Sequence, residues 1–165
     1  MRLWVLKLAL FAIVVTTIGC DQVSKRVASS RLMGGPPQSY FGNSVRFEYA
    51  ENTGAFLSLG AELPLWARTV LFSVGPALAL IACIVAMITH RWRRLALLGM
   101  CLAFGGGLSN LVDRVVHGRV IDFLNVGVGP VRTGIFNVAD VAIMVGVALL
   151  VGSHYASEHT DRADP

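Results

Sequence analysis

The chain has 165 residues, of which 55% are hydrophobic, and it carries a formal net charge of +4 at neutral pH. This share of apolar residues is too high for an ordinary soluble domain and indicates an integral membrane protein. The basic residues cluster at the ends of apolar stretches, so the positive charge does not indicate a nucleic-acid-binding protein. We therefore expect membrane lipids, and no nucleic acid, among the partners.

Four apolar stretches are long enough to cross a bilayer. A hydrocarbon core of about 30 Å takes about 20 helical residues, and a helix satisfies its own backbone polar groups in lipid. The sequence predicts spans at about residues 3–20, 65–88, 95–112 and 135–152. With one substantial loop, we expect a single membrane domain over residues 1–165, an all-α integral membrane protein with four transmembrane helices.

The segment between the first two spans, about residues 34–62, is predicted to hold a small β-sheet on the outer membrane surface. Gly34-Gly35-Pro36-Pro37 breaks any helix that continues from Asp21. Val45-Arg46-Phe47-Glu48-Tyr49 alternates apolar and polar side chains, which is typical of a strand. We expect its apolar face to turn to lipid or to the helices, and Asn52-Thr53-Gly54-Ala55-Phe56 to end it in a tight turn.

Charge in the short link between spans two and three predicts the orientation. His90-Arg91-Trp92-Arg93-Arg94 is dense in arginine, and positive charge in short loops stays in the cytoplasm. Both termini, including a tail at residues 153–165, are then cytoplasmic, and the larger loops face outward. The outer loops also hold many basic residues, but the rule works best on short loops.

The first span permits a second interpretation. Its apolar run ends in Thr17-Ile18-Gly19-Cys20-Asp21, which is similar to a lipoprotein signal peptide with a lipidated cysteine. Thr17 fits poorly, because an aliphatic residue is usual there, and three further spans follow. We therefore interpret Cys20, like Cys83 and Cys101, as a small buried packing residue.

Span three carries small and polar residues at intervals of four. The small residues form a ridge that lets another helix approach closely, and they are Gly99, Ala103 and Gly107. A second row on one helix face consists of Gly106, Asn110 and Arg114. For Asn110, Asp113 and Arg114, a structural role as a helix end with its own ion pair is the alternative to a role in chemistry.

Asp122 and Asp140 are the main candidates for chemistry. Each lies at the edge of an apolar segment, where a charged residue costs roughly 2.5–3.5 kcal/mol on insertion scales. A purely structural acid would want a basic partner, and their nearest sequence neighbours are apolar. Two carboxyl groups that meet across a helix boundary indicate acid–base chemistry, and Asn137 lies on the same helix face as Asp140.

Two non-enzymatic functions are alternatives to acid–base chemistry. A small transporter or channel would use its intramembrane acids as a proton relay, but these acids would then be expected near mid-span. An assembly protein would use the ridge of small residues in span three, which gives no reason for the paired aspartates.

Five short blocks occur in the order and spacing of a known family. The blocks are Asp21-Gln22-Val23-Ser24-Lys25, Asn52-Thr53-Gly54-Ala55-Phe56, Gly106-Gly107-Leu108-Ser109-Asn110-Leu111-Val112-Asp113-Arg114, Val120-Ile121-Asp122-Phe123 and Phe136-Asn137-Val138-Ala139-Asp140. With these blocks the chain resembles bacterial lipoprotein signal peptidase, the signal peptidase II family, from the first span to the fourth.

The resemblance implies an intramembrane aspartic endopeptidase of the bacterial inner membrane. Its substrates would be lipid-modified prolipoproteins, cut on the amino side of a cysteine that carries a diacylglyceryl group. Asp122 and Asp140 would be the catalytic pair near the outer face, with no cofactor and no metal. Globomycin-type inhibitors would be ligands.

The remaining block residues are expected to support the pair. Six are predicted to bind substrate or to orient the aspartates: Asn52, Gly54, Gly106, Asn110, Arg114 and Asn137. The asparagines donate and accept hydrogen bonds, the arginine offers a fork of donors to a carbonyl or the lipid ester, and the glycines permit close approach. Three are predicted to be structural or supporting: Asp21 and Lys25, as an ion pair at a helix end, and Asp113.

Overall fold

The computed structural model describes residues 3–54 and 60–162. It contains four helices long and apolar enough to cross a membrane and one small antiparallel sheet. The elements in chain order are α1 (Leu3–Leu32), β1 (Gln38–Tyr40), β2 (Val45–Asn52), α2 (Leu65–Thr89), α3 (Arg94–His117), β3 (Val120–Val128), β4 (Val131–Arg132) and α4 (Val138–Arg162). The predicted fold class is confirmed.

Helix α1 is longer than predicted. It continues through Asp21 to Leu32, and Gly34 then takes a left-handed conformation (φ 76°). The predicted break at Gly34-Gly35-Pro36-Pro37 is confirmed, and the helix continues past the predicted end of the span because the Asp21 carboxylate is paired with the Lys25 ammonium one turn later and the charges stay inside the fold. The C-terminal part of α1 therefore stands beside the sheet.

Cys20 lies on the outer surface of α1 and is exposed, so its interpretation as a buried packing residue was wrong. The buried stripe of α1 passes through Thr17, Asp21 and Lys25, and Cys20 lies off this stripe. Cys101 is buried as predicted, and Cys83 is half-buried.

Helices α3 and α4 are in direct backbone contact. A Cβ atom added to Gly99 would lie 2.6 Å from the carbonyl oxygen of Gly146, and one added to Gly106 would overlap the carbonyl oxygen of Ala139. The small-residue ridge is thus confirmed for Gly99. Gly107 does not belong to it, because it faces the Leu80 side chain of α2.

Helix α4 begins at Val138, three residues later than its predicted span, because Asn137 caps it. The amide N–H of Asp140 donates to Asn137 Oδ1 (3.0 Å), and the N–H of Asn137 donates to Asp140 Oδ2 (3.1 Å). This reciprocal pair is a capping box. At the other end the helix continues through much of the predicted tail to Arg162.

The sheet has the order β1-β2-β3-β4. The predicted strand is present as β2, which extends to Asn52, and the rest of the predicted turn after Gly54 lies outside the described residues. Phe47 packs with Phe123 against Ala28 and Leu32 of α1, so the apolar face turns to a helix. This packing fixes the sheet against the C-terminal part of α1.

The segment before α4 is tied to β3. The N–H groups of Phe123 and Leu124 both donate to the carbonyl oxygen of Phe136, at 3.0 and 2.8 Å, and Phe136 N–H donates back to Leu124 at 2.8 Å. Asn137 follows directly, so the start of α4 is held beside Asp122 of β3.

Candidate active site

Asp122 and Asp140 meet where β3 approaches the start of α4. Asp122 is only 2% exposed, and Asp140 is half-buried in the first turn of α4. Asn137 binds both: its Nδ2 donates to Asp122 Oδ1 (2.6 Å), and its backbone N–H donates to Asp140 Oδ2 (3.1 Å). The structure therefore brings together the two predicted catalytic acids through a third predicted site residue.

Asn52 holds the second oxygen of Asp122. Its Nδ2 donates to Asp122 Oδ2 (2.8 Å), while its Oδ1 accepts the N–H of Gly54 (2.9 Å). The antiparallel register pairs Asn52 with Val120 and so places its amide within reach of Asp122. The bond from Gly54 fixes which end of the amide faces the carboxyl group.

Asn110 of α3 holds the second oxygen of Asp140. Its Nδ2 donates to Asp140 Oδ1 (2.9 Å), and its Oδ1 accepts the Lys25 ammonium (2.8 Å). All four oxygens of the two aspartates thus accept a hydrogen bond from an amide. The three predicted asparagines all donate hydrogen bonds to the acids, as one of their two predicted roles requires, and that role stays a prediction.

Burial raises the pKa of Asp122 from its ordinary value of 3.8 to about 6. The amide of Asn52 opposes this rise, the neighbouring charge of Asp140 adds to it, and the amide of Asn137 and the charge of Lys25 again oppose it. A carboxyl group with this pKa exchanges its proton near neutral pH, as general acid–base chemistry requires.

A buried charged cluster lies behind Asn110. Lys25 Nζ contacts Asp21 Oδ2 and Asp113 Oδ2, both at 2.6 Å, and we call these three residues the Lys25 cluster. The Asp21–Lys25 pair was correctly predicted as a pair but not as a helix end, since it lies inside α1. The structural alternative for span three supposed an ion pair within the helix end. Asp113 instead pairs with Lys25 of α1 and not with its neighbour Arg114.

Two members of this network were missed from the sequence. Ser109 Oγ donates to Asp21 Oδ2 (2.7 Å), and Gln22 Nε2 donates to Asp113 Oδ1 (2.9 Å). Asp21 Oδ1 also accepts the N–H of Ala139 at the first turn of α4 (2.8 Å), where a helix favours negative charge. The cluster therefore joins α1, α3 and α4 beneath the aspartates.

Arg114 reaches over the site from α3. Its Nη2 donates to the carbonyl oxygen of Gly54 (2.8 Å) and its Nη1 to that of Asn110 (3.2 Å). Its Nε is buried and has no hydrogen-bond partner among the residues that the structure describes. Part of the predicted fork is thus used to hold the loop after β2, and one donor is left over.

An open cavity of about 430 Å³ lies beside Asp140, between α2, α3 and α4. Its walls are apolar except for three side chains of the site. The lining residues are Leu71, Phe72, Pro76, Gly107, Asn110, Arg114, Asp140, Ile143 and Met144. Gly106, which was expected to face the substrate, is not among them and serves the contact between α3 and α4.

Within residues 3–54 and 60–162, no three His, Cys, Asp or Glu side chains are grouped as a metal site would require.

The chain is similar to known membrane peptidases along most of its length. The family model described as signal peptidase (SPase) II matches residues 13–155. A lipoprotein signal peptidase of Azoarcus sp. is 34% identical over 153 residues, which cover 90% of this chain and 84% of the relative. One from Chlorobium phaeobacteroides is 33% identical, covering 87% of this chain and 88% of the relative.

Two solved structures share the fold. Both are described as a bacterial membrane enzyme structure determined by the in meso method. One, at 2.3 Å resolution, superposes with a TM-score of 0.80 at 24% identity and covers 91% of this chain and 89% of that chain. The other, at 1.9 Å, has a TM-score of 0.74 at 25% identity and covers 87% and 90%.

The match over residues 13–155 identifies the family. The shared arrangement of helices and sheet, with the sequence blocks grouped around one pair of aspartates, agrees with it. The chain belongs to the signal peptidase II family.

Proposed function

We propose that this protein is an intramembrane aspartic endopeptidase that removes signal peptides from lipid-modified prolipoproteins. The observation that carries the proposal is a pair of carboxyl groups, each held by amide donors on both oxygens, of which Asp140 lies at the wall of an apolar cavity. The names of the relatives support the substrate class, since each is a lipoprotein signal peptidase.

Asp122 and Asp140 act as a pair that shares one proton. Two close carboxyl groups do not both ionise readily, so one is charged and the other protonated at working pH. The charged member takes a proton from the attacking water, and the protonated member supplies one to the leaving amine. The apparent pKa values belong to the pair, so the cleavage rate falls at both acidic and alkaline pH.

The apolar cavity beside Asp140 receives the end of the signal peptide. Its walls from α2 and α4 match an apolar helix, and its polar groups lie at one end with Asn110 and Arg114. Arg114 lines this cavity, and its guanidinium group is a donor for a substrate carbonyl or for the lipid ester. A globomycin-type inhibitor would compete for this cavity.

The site faces the outer side of the bacterial inner membrane, and both termini are cytoplasmic. The dense arginine link that ends at Arg94 supports this orientation. The bond that is cut lies on the amino side of the lipidated cysteine, which reaches the site from the bilayer.

Purified protein in detergent should cleave a lipidated prolipoprotein without any partner, and it should leave an unlipidated version largely uncut. Asp122→Asn and Asp140→Asn should each lower the rate by about 10²–10⁴ or more, because Asn cannot exchange the proton. Asp113→Asn should retain measurable cleavage. Near-normal turnover by either of the first two variants would contradict the aspartic mechanism.

A further inference from the structure

The Lys25 cluster is not used in the chemistry proposed above, although it touches the catalytic pair through one amide. Lys25 is only 2% exposed, Asp21 is fully buried and Asp113 is 6% exposed. Burying three charged groups is costly, and replacing them with apolar residues would often stabilise a fold more. Helix packing alone therefore does not account for these three buried charges.

Asn110 is the link between the cluster and the pair. Lys25 Nζ donates to its Oδ1 (2.8 Å), and its Nδ2 donates to Asp140 Oδ1 (2.9 Å). An amide has one acceptor end and one donor end, so the lysine decides that the donor end faces Asp140. Asn137 Nδ2 also reaches Asn110 Oδ1, but at 3.3 Å.

The lysine also acts through its charge. Two hydrogen bonds and one amide separate its Nζ from Asp140, which places the charge on the order of 7 Å away. At effective dielectric constants between those of a protein and of water, a unit charge at this distance moves a titration by about 0.5–1.5 pH units.

The charged groups that face the pair come from two helices. Helix α1 supplies Asp21 and Lys25, and α3 supplies Asp113 and Arg114. From the sheet the pair receives the neutral amide of Asn52. Within the Lys25 cluster two carboxylates surround one ammonium. Removing the positive charge makes the net charge of the cluster more negative, and removing one negative charge makes it more positive.

We propose that Lys25 is a positioning residue for the catalytic pair. It orients the Asn110 amide toward Asp140, and the balance of charge in the Lys25 cluster sets the pH range over which the pair holds a single proton. This rests on the proposed aspartic function, and it adds a group that touches neither water nor substrate.

The test is the pH profile of cleavage, measured on a lipidated prolipoprotein in detergent from about pH 4 to about pH 9. Lys25→Met removes a positive charge and should move the acidic limb to higher pH, while Asp113→Asn removes a negative charge and should move it to lower pH. Each displacement should be about 0.5–1.5 pH units. Lys25→Arg keeps the charge but not the geometry, so it should keep the position of the limb with a lower kcat.

Arg26→Gln is the matched control, since it removes the same charge from the next residue of α1 on the exposed surface. It should leave both the profile and kcat unchanged, because solvent screens an exposed charge. If Lys25→Met does not fold, Asp113→Asn and Lys25→Arg decide the question by themselves.

Normalised profiles of Asp113→Asn and of any folded Lys25→Met that superimpose on the wild-type profile would overturn the proposal, as would displacements in the same direction. Failure of the proposed function looks different, because Asp122→Asn would then cleave the substrate.

Discussion

Replacing Asp122 with asparagine should lower protein stability at acidic pH, and this deficit should disappear or reverse at alkaline pH. The Asp122 carboxyl group is 2% exposed, and its pKa is raised from 3.8 to about 6. A carboxyl group with a raised pKa binds its proton more tightly in the folded state. Its full contribution to stability is therefore present below pH 3.8 and is lost as the pH rises through about 6.

The size of this loss follows from the pKa. A change from 3.8 to about 6 corresponds to on the order of 3 kcal/mol in the free energy of unfolding. Asparagine does not titrate and so avoids the loss. It presents an NH₂ group, however, to one of the two amide groups that donate hydrogen bonds to the Asp122 oxygens.

The neighbouring amides cannot turn to meet this NH₂ group. Asn52 is held by the N–H of Gly54, and Asn137 is held by the N–H of Asp140. In the variant, the NH₂ group of the new asparagine therefore faces the NH₂ group of Asn52 or Asn137, and this contact lowers the free energy of unfolding by about 1–3 kcal/mol. The variant should be less stable than the wild type by that amount near pH 4, and as stable or up to about 2 kcal/mol more stable near pH 8.

Thermal or denaturant unfolding of the two proteins in one detergent, at several pH values, measures this difference. Glu51→Gln is the control, since Glu51 is exposed and its pair with Arg119 is worth about 1 kcal/mol or less. A stability difference between Asp122→Asn and the wild type that does not depend on pH would refute the reasoning.

Three further predictions use single substitutions. Gly146→Ala should destabilise the fold by about 1–3 kcal/mol, because the added Cβ would lie 2.5 Å from the Gly99 carbonyl oxygen. Gly152→Ala is the control, because nothing lies within 4 Å of its added Cβ, and equal melting temperatures of the two variants would contradict the prediction. In a cysteine-free background, a cysteine at Trp92 should be labelled only from the cytoplasm and one at Phe41, which is 84% exposed, only from outside. The reverse pattern would invert the topology. Cys20→Ser should keep full cleavage, and a mature chain found by intact mass to begin at a lipidated Cys20 would establish the other interpretation.

The spans, the strand and the acidic pair were predictable because their signals are local. Length and hydropathy define the helices, alternation defines β2, and a carboxyl group at the edge of an apolar run is conspicuous. The capping box is also visible in the sequence, as Asn137 followed three residues later by Asp140. Hydropathy alone, however, extends the predicted span back to residue 135. The start of α4 was accordingly placed too early.

The length of α1 and the makeup of the buried network were not predictable in this way. Charged residues at Asp21 and Lys25 suggest the end of a membrane helix unless a partner is known, and that partner is Asp113, far along the chain. Gln22 and Ser109 likewise meet only in the folded protein. The in–out orientation stays a prediction.

The direct contact between the backbones of α3 and α4 has a consequence for how a substrate enters. No side chains separate Gly99 of α3 from Gly146 of α4. These two helices, which form two walls of the cavity, are therefore packed backbone to backbone and form one rigid unit. The third wall is different: within Gly75–Thr89 of α2 no residue is buried, and a π-helical turn at Val70–Val74 precedes Pro76. A peptide that enters sideways from the bilayer therefore meets a tightly packed wall formed by α3 and α4 and a loosely packed wall formed by α2.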